Sequence, residues 1–93
     1  MSDSTETKTK TEYLRDVTSQ LKEMRHYAQT NTETLSSQWL AFDAGEYKDK
    51  TNADRIDALL NKQGKLLEDL DAAIQDIEIE INHSEQESYV ISR

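Results

Sequence analysis

The sequence contains no cysteine and no proline, and only two glycines in 93 residues. Without cysteine, neither a disulfide nor a thiolate metal site can stabilise so small a fold. The lack of proline removes the strongest helix breaker, and the residues that favour helix are abundant. No uninterrupted apolar stretch is longer than a few residues, so we expect no membrane-spanning helix.

The N-terminal segment MSDSTETKTK is polar and has no apolar core of the kind that a Sec-type signal peptide requires. We therefore expect no cleavable signal peptide, and any export would depend on another signal. The composition of residues 1–9, mostly Ser, Thr, Lys and acids, predicts a disordered leader.

The chain carries 11 basic and 19 acidic residues, a formal net charge of −8. The acidic excess lies near the C-terminus, where eight acids and neither Lys nor Arg occur from Glu68 to Glu87. Such a surface repels phosphate groups and anionic lipid, so we expect neither nucleic-acid binding nor membrane insertion. The simplest interpretation of the acidity itself is solubility.

Two segments have the apolar spacing of long amphipathic helices. The first stripe runs from Leu14 to Leu35, and the second, wider stripe runs from Ile56 to Ile81. This pattern predicts an all-α protein folded as an antiparallel helix-turn-helix hairpin. The predicted boundaries are helix 1 over about 10–38, a turn over about 39–45, helix 2 over about 46–88 and a flexible tail over 89–93.

A hairpin of this size buries one seam only, and hydrophobic residues make up just 34% of the chain. We therefore expect it to pair with a second copy or a related hairpin into a four-helix bundle. The predicted interface consists of the stripe residues Leu14, Val17, Leu21, Met24, Leu35, Ile56, Leu60, Leu67, Leu70, Ile74, Ile77 and Ile81.

Three local patterns bear on the second helix. Asp43 with Glu46, and alternatively Thr51 with Asp54, resemble capping boxes at its start, so its onset stays open by a couple of turns. Gly64 lies in the helix interior, where it marks either a close approach of helices or a slight bend.

Residues for catalysis are scarce. The chain has no cysteine, two histidines and no glycine-rich phosphate loop. His83 and Glu87, four residues apart on a helix, form half a metal site, but no third ligand is evident. We therefore predict no enzymatic activity, no bound metal and no cofactor.

An aromatic cluster marks the predicted turn, where Trp39, Phe42 and Tyr47 fall within nine residues. These rings can close the end of the hairpin core. Large amphipathic rings are also good anchors for a partner, so the same turn is a candidate docking surface.

A central Trp in a short turn between two helices, in an acidic chain of about a hundred residues, resembles the small WXG (Esx-type) proteins of type VII secretion systems. Their motif is Trp-x-Gly between the helices, often followed two helical turns later by an aromatic residue. Here the motif positions hold Trp39 and Ala41, with Gly45 as the nearest glycine and Tyr47 as the later aromatic.

The resemblance also implies a C-terminal export signal. One form is His-x-x-x-acid-x-x-apolar followed by a second His, and His83, Glu87 and Val90 match its first three positions. The implied function is that of a small secreted substrate, cytoplasmic before export, or of an accessory partner. The turn and the His83–Val90 segment would together be recognised by the secretion machine and its ATPase.

Two alternatives stay open. Within the same class, the hairpin is a dedicated partner that packs against the helical targeting domain of a larger secreted toxin. In a different class, it is a cytoplasmic helical adaptor or chaperone that shields an apolar helix of another protein. Fractionation of cells with an active type VII system separates the secreted from the cytoplasmic hypothesis.

Overall fold

The computed structural model describes the backbone of residues 8–91 and the side chains of residues 8–85. Within that range it consists of two helices, α1 (Lys10–Asp43) and α2 (Lys50–Ile91), which pack antiparallel along their length. The predicted all-α hairpin is confirmed. The molecule measures 66 × 32 × 14 Å, the shape of a layer one helix thick. Such a layer has two broad faces, and no further helix in the described range covers either one.

A capping box starts α1. The Thr9 side chain accepts a hydrogen bond from the Glu12 backbone N–H (3.1 Å), and the Glu12 carboxylate accepts one from the Thr9 N–H (2.9 Å). Both bonds satisfy backbone donors that the first helical turn leaves without partners. Thr9 and Lys8, which pairs with Asp16, are therefore ordered parts of the helix start and not of a disordered leader. Residues 1–7 lie outside the described part of the chain.

The connection between the helices lies over residues 44–49, about five residues later than the predicted turn. Trp39, Ala41 and Phe42 belong to the last turns of α1 because no glycine or proline occurs before Gly45 to end the helix. The connection is closed by backbone hydrogen bonds from Tyr47 N–H to the Ala41 carbonyl (3.2 Å) and from Asp49 N–H to the Phe42 carbonyl (2.8 Å).

Asp49 caps the start of α2. Its carboxylate accepts hydrogen bonds from the backbone N–H of Asn52 (3.1 Å) and from the Asn52 side-chain amide (2.8 Å). This geometry is typical of an N-cap residue. Neither predicted capping pair starts the helix, since Asp43 ends α1 and Thr51 is already helical. The residue three positions after Asp49 is thus an amide that donates to the cap, where a capping box has a Glu or Gln that accepts.

The hydrophobic core is small. Within the described residues only six side chains are buried, and five are apolar: Ala28, Ala53, Leu70, Ile74 and Ile81. The sixth is Thr18, whose hydroxyl donates to the Arg15 carbonyl (2.9 Å) and so stays satisfied inside the seam. A seam this thin is consistent with a fold that gains stability from a partner.

Gly64 does not mark a close helix approach. A Cβ built on it meets no atom within 4 Å beyond the surrounding turn of its own helix. The prediction of a flexible tail from residue 89 is wrong for residues 89–91, because α2 continues to Ile91. Residues 92 and 93 lie outside the described range.

Candidate functional site

One broad face of the hairpin, here called the charged face, is crossed by ion pairs between the helices. Asp71, Glu78 and Glu85 follow one another at seven-residue spacing on α2. They pair with basic residues of α1 in antiparallel order: Arg25–Asp71 (2.7 Å), Lys22–Glu78 (2.7 Å) and Arg15–Glu85. These pairs cover the seam on this side and supply polar groups to the solvent.

The opposite broad face, here called the apolar face, carries exposed apolar side chains beside the seam. Leu59 lines a groove on this face together with Asn31 and Leu35 of α1. Leu66 follows Leu59 by seven residues, and Met24 precedes Asn31 by seven, so both lie on the same side. Tyr27 precedes Thr34, another residue of the groove, by seven residues, and Tyr13 precedes Tyr27 by fourteen, so both tyrosines lie on this side as well. The exposed fractions are 62% for Tyr13, 50% for Met24, 61% for Tyr27, 46% for Leu59 and 40% for Leu66.

The two faces therefore differ in chemistry. Single exposed apolar residues are ordinary, but a row of five beside one seam is not explained by the fold of a single hairpin. Arg25, Lys22 and Arg15 screen the seam along the charged face, whereas the ion pair described on the apolar face, Lys10–Glu80 (3.3 Å), lies at its open end, fourteen residues from Met24 and Leu66. The apolar face is thus the surface that a second helical element could cover.

A groove of about 290 Å³ crosses the tip half of the apolar face. Its walls combine two leucines with four polar side chains: Asn31, Thr34, Leu35, Gln38, Leu59 and Gln63. The Oε1 atom of Gln63 is enclosed and has no hydrogen-bond partner among the described residues. A buried polar atom without a hydrogen-bond partner lowers the stability of the fold, so the presence of Gln63 beside this groove requires an explanation.

The predicted interface residues lie on the internal seam of the hairpin. Leu70, Ile74 and Ile81 are buried, and all the others except Met24 are half-buried. Their first role is to hold α1 against α2. Whether they also contact a second hairpin stays a prediction, and Met24 is the member best placed for it because half of its surface is exposed.

The residues of the predicted turn motif separate into two groups. The half-buried group is Trp39, Ala41 and Phe42, of which Trp39 and Phe42 continue the seam spacing of Leu35 at steps of four and three residues. The exposed group is Gly45 and Tyr47, and the neighbouring Leu40, outside the motif, is also more than half exposed at the tip of the hairpin. The tip thus presents one aliphatic and one phenolic side chain to solvent, while the indole lies toward the seam.

The predicted export-signal residues are only partly described. His83 lies on α2, is exposed and has an interaction partner. Glu87 and Val90 lie on the same helix, but their side chains are outside the described range. The geometry of this segment as a composite signal with Trp39 therefore stays a prediction.

Sequence inspection missed Ala53, Thr18 and Gln63 as structural positions. Ala53 is buried three residues before Ile56, which extends the apolar stripe by one turn. Among the described residues no group of three or more His, Cys, Asp or Glu side chains could hold a metal ion. None of the helices in the described range is long and apolar enough to cross a membrane.

Comparison with known proteins adds no relative. No protein-family model, no curated protein sequence and no solved structure matches the chain.

Proposed function

We propose that this protein acts by binding a second helical hairpin through its apolar face, without catalysis. The observation that supports the proposal is the asymmetry of the two faces. Ion pairs such as Arg25–Asp71 cover one face, while Met24, Tyr27 and Leu66 remain exposed on the other. Covering apolar surface is the main favourable term in protein association.

A second hairpin suits this surface better than a single extended segment does. The apolar side chains come from both helices, with Met24 and Tyr27 on α1 and Leu59 and Leu66 on α2. A layer of two helices placed against them contacts both rows and forms a four-helix bundle. The partner is a second copy, a related small hairpin or the helical targeting domain of a larger secreted protein.

Resemblance to the WXG proteins gives this binding a biological setting. In that setting the protein is a small substrate or accessory partner of a type VII secretion system. The half-buried Trp39 lies near one end of the hairpin, and His83 lies toward the other end. Antiparallel pairing would bring the tip of one hairpin close to the tail of its partner, so both segments would be presented together to the secretion ATPase.

The binding proposal is tested by placing a charge on the apolar face. We expect the wild-type chain, or its complex with a co-expressed neighbouring hairpin, to have a stable mass by light scattering above the 10.7 kDa of one chain. Met24→Lys and Leu66→Lys should dissociate the assembly and leave the helical circular dichroism largely unchanged. The matched control is Ile79→Lys, because Ile79 is 65% exposed on the other side of α2. Equal effects of all three variants contradict the proposal.

The secretion setting is tested separately in cells with an active type VII system. Trp39→Ala and Glu87→Ala should each reduce the amount of protein in the culture supernatant at unchanged cellular level. Thr30→Ala, on an exposed position of α1, serves as the control. Unchanged export of both test variants contradicts the export role and leaves the binding proposal standing.

A further inference from the structure

The groove on the apolar face is incomplete in a single chain. Leu35 and Leu59 offer an apolar contact, and amide side chains line the rest of the groove. The enclosed Oε1 of Gln63 has no donor within the described residues. An occupant that suits such walls has an apolar body and a hydroxyl donor at its end, which is the chemistry of a tyrosine side chain.

The chain itself carries two tyrosines on the same face, Tyr13 and Tyr27, and the distance of Tyr13 from Met24 matches that of the groove. Tyr13 is 62% exposed and lies eleven residues before Met24, and Met24 lies eleven residues before Leu35. Eleven residues are about three helical turns, or roughly 16 Å. When two copies pack antiparallel with their Met24 side chains at the two-fold axis, Tyr13 of each copy therefore faces Leu35 of the other.

The charge of α2 selects the antiparallel arrangement. The acids that form ion pairs on the charged face do not meet a copy packed on the apolar face. Beside Leu59 and Leu66, α2 carries Arg55 and Lys62 followed by Asp69 and Asp76, all four exposed and spaced by seven residues. Antiparallel stacking of α2 on its copy places the basic pair against the acidic pair, whereas parallel stacking places like charges together.

We propose that the partner is a second copy of this chain and that Tyr13 of each copy occupies the groove of the other. The ring lies against Leu35 and Leu59. The hydroxyl donates to Gln63, whose amide turns toward the groove and so gains the donor that it lacks. This inference rests on the proposed binding function. It adds which side chain occupies the groove and how the two copies are aligned.

The test is the dissociation constant of the dimer, measured by sedimentation equilibrium on the full chain. Tyr13→Phe keeps the ring and removes the hydroxyl, so we expect roughly tenfold weaker dimers, since each dimer loses two hydrogen bonds. In a Gln63→Leu background the same change should weaken the dimer less than twofold. Tyr47→Phe removes the hydroxyl of an exposed tyrosine at the tip and should change affinity less than twofold.

Cross-linking measures the register directly, because the natural chain has no cysteine. Met24→Cys should be joined to its own copy by a short bis-maleimide, whereas Ile79→Cys and Tyr13→Cys alone should not. The proposed register is wrong if the chain dimerises but Tyr13→Phe weakens the dimer no more than Tyr47→Phe does. It is also wrong if Met24→Cys is not cross-linked in the dimer. Either result leaves the pairing of hairpins intact. A chain that stays monomeric at about 100 μM overturns the choice of a second copy, while binding to a different hairpin would still support the proposed function.

Discussion

The Cα atom of Ala41 lies 2.9 Å from the point at which a Cβ on Gly45 would be placed. The carbonyl oxygens of Leu40 and Ala41 lie 3.0 and 3.1 Å from the same point. All three atoms belong to the backbone of the last turn of α1, which cannot move aside as a flexible side chain can. Gly45 does not have a positive φ. The need for glycine at this position is therefore steric, and it arises because the chain folds back over Ala41.

Gly45→Ala should therefore destabilise the hairpin. The added methyl group must displace backbone at the end of α1, and overpacking of this kind costs about 1–3 kcal/mol. Thermal unfolding followed by circular dichroism at a fixed protein concentration measures the effect. For a domain of this size, about 1 kcal/mol in the free energy of unfolding shifts the midpoint by about 4–8 °C. A midpoint within about 2 °C of the wild type would therefore mean that the connection between the helices adjusts to the methyl group without strain.

Gly64→Ala should have the opposite sign. Gly64 lies inside α2 and an added Cβ meets no neighbour within 4 Å beyond the turn of its own helix. The substitution removes backbone freedom from the unfolded chain without a clash, which stabilises by about 0.5–1 kcal/mol. The same unfolding experiment tests it, and loss of stability would indicate that Gly64 is approached closely by a partner chain.

These two glycines show what the sequence could and could not predict. Gly45 and Gly64 differ little in local sequence, since both interrupt residues that favour helix. Only the path of the chain places Ala41 against one of them and leaves the other open. The position of the turn, by contrast, could be read from the sequence, because Trp39 and Phe42 continue the spacing of Leu35 and no glycine or proline precedes Gly45.

Asp49→Ala should destabilise the protein because it removes the N-cap of α2. Asp49 accepts two hydrogen bonds from Asn52, and an alanine leaves the backbone donor of the first turn unsatisfied. The expected loss is about 1 kcal/mol in the free energy of unfolding by urea. Asp43→Ala is the matched control: Asp43 is an acid at the C-terminal end of α1, where negative charge is not favoured, so its removal should cost nothing. Equal losses from both variants would contradict the assignment of the cap.

The candidate binding surface was predictable only in part. Apolar spacing located the seam, and Leu70, Ile74 and Ile81 are indeed buried in it. Spacing did not distinguish the two faces beside the seam, because that distinction depends on which residue of α1 stands opposite each residue of α2. The partners of Asp71 and Glu78 are 46 and 56 residues away in the sequence, and only the packed hairpin joins them.

Ile74→Ala should have the largest effect on stability among these variants. Ile74 is 2% exposed in the middle of α2, and truncation removes buried methylene groups and leaves a cavity. Such changes cost about 2–5 kcal/mol, a large share of the stability of a small domain. Ile79→Ala, on a position 65% exposed, should shift the unfolding midpoint little. Comparable losses at both positions would mean that Ile79 is covered in the assembled protein.

The Arg25–Asp71 ion pair should contribute much less than Ile74 does. The side chains are 33% and 52% exposed, so water and salt screen the attraction between them. A double-mutant cycle with Arg25→Gln and Asp71→Asn should therefore give a coupling of about 0.2–1 kcal/mol that shrinks as salt is raised. With so small a coupling, the ion pairs of the charged face would align the two helices and keep this surface polar, while adding little to the free energy of folding. A coupling above 2 kcal/mol that is insensitive to salt would show instead that this face is buried against a partner.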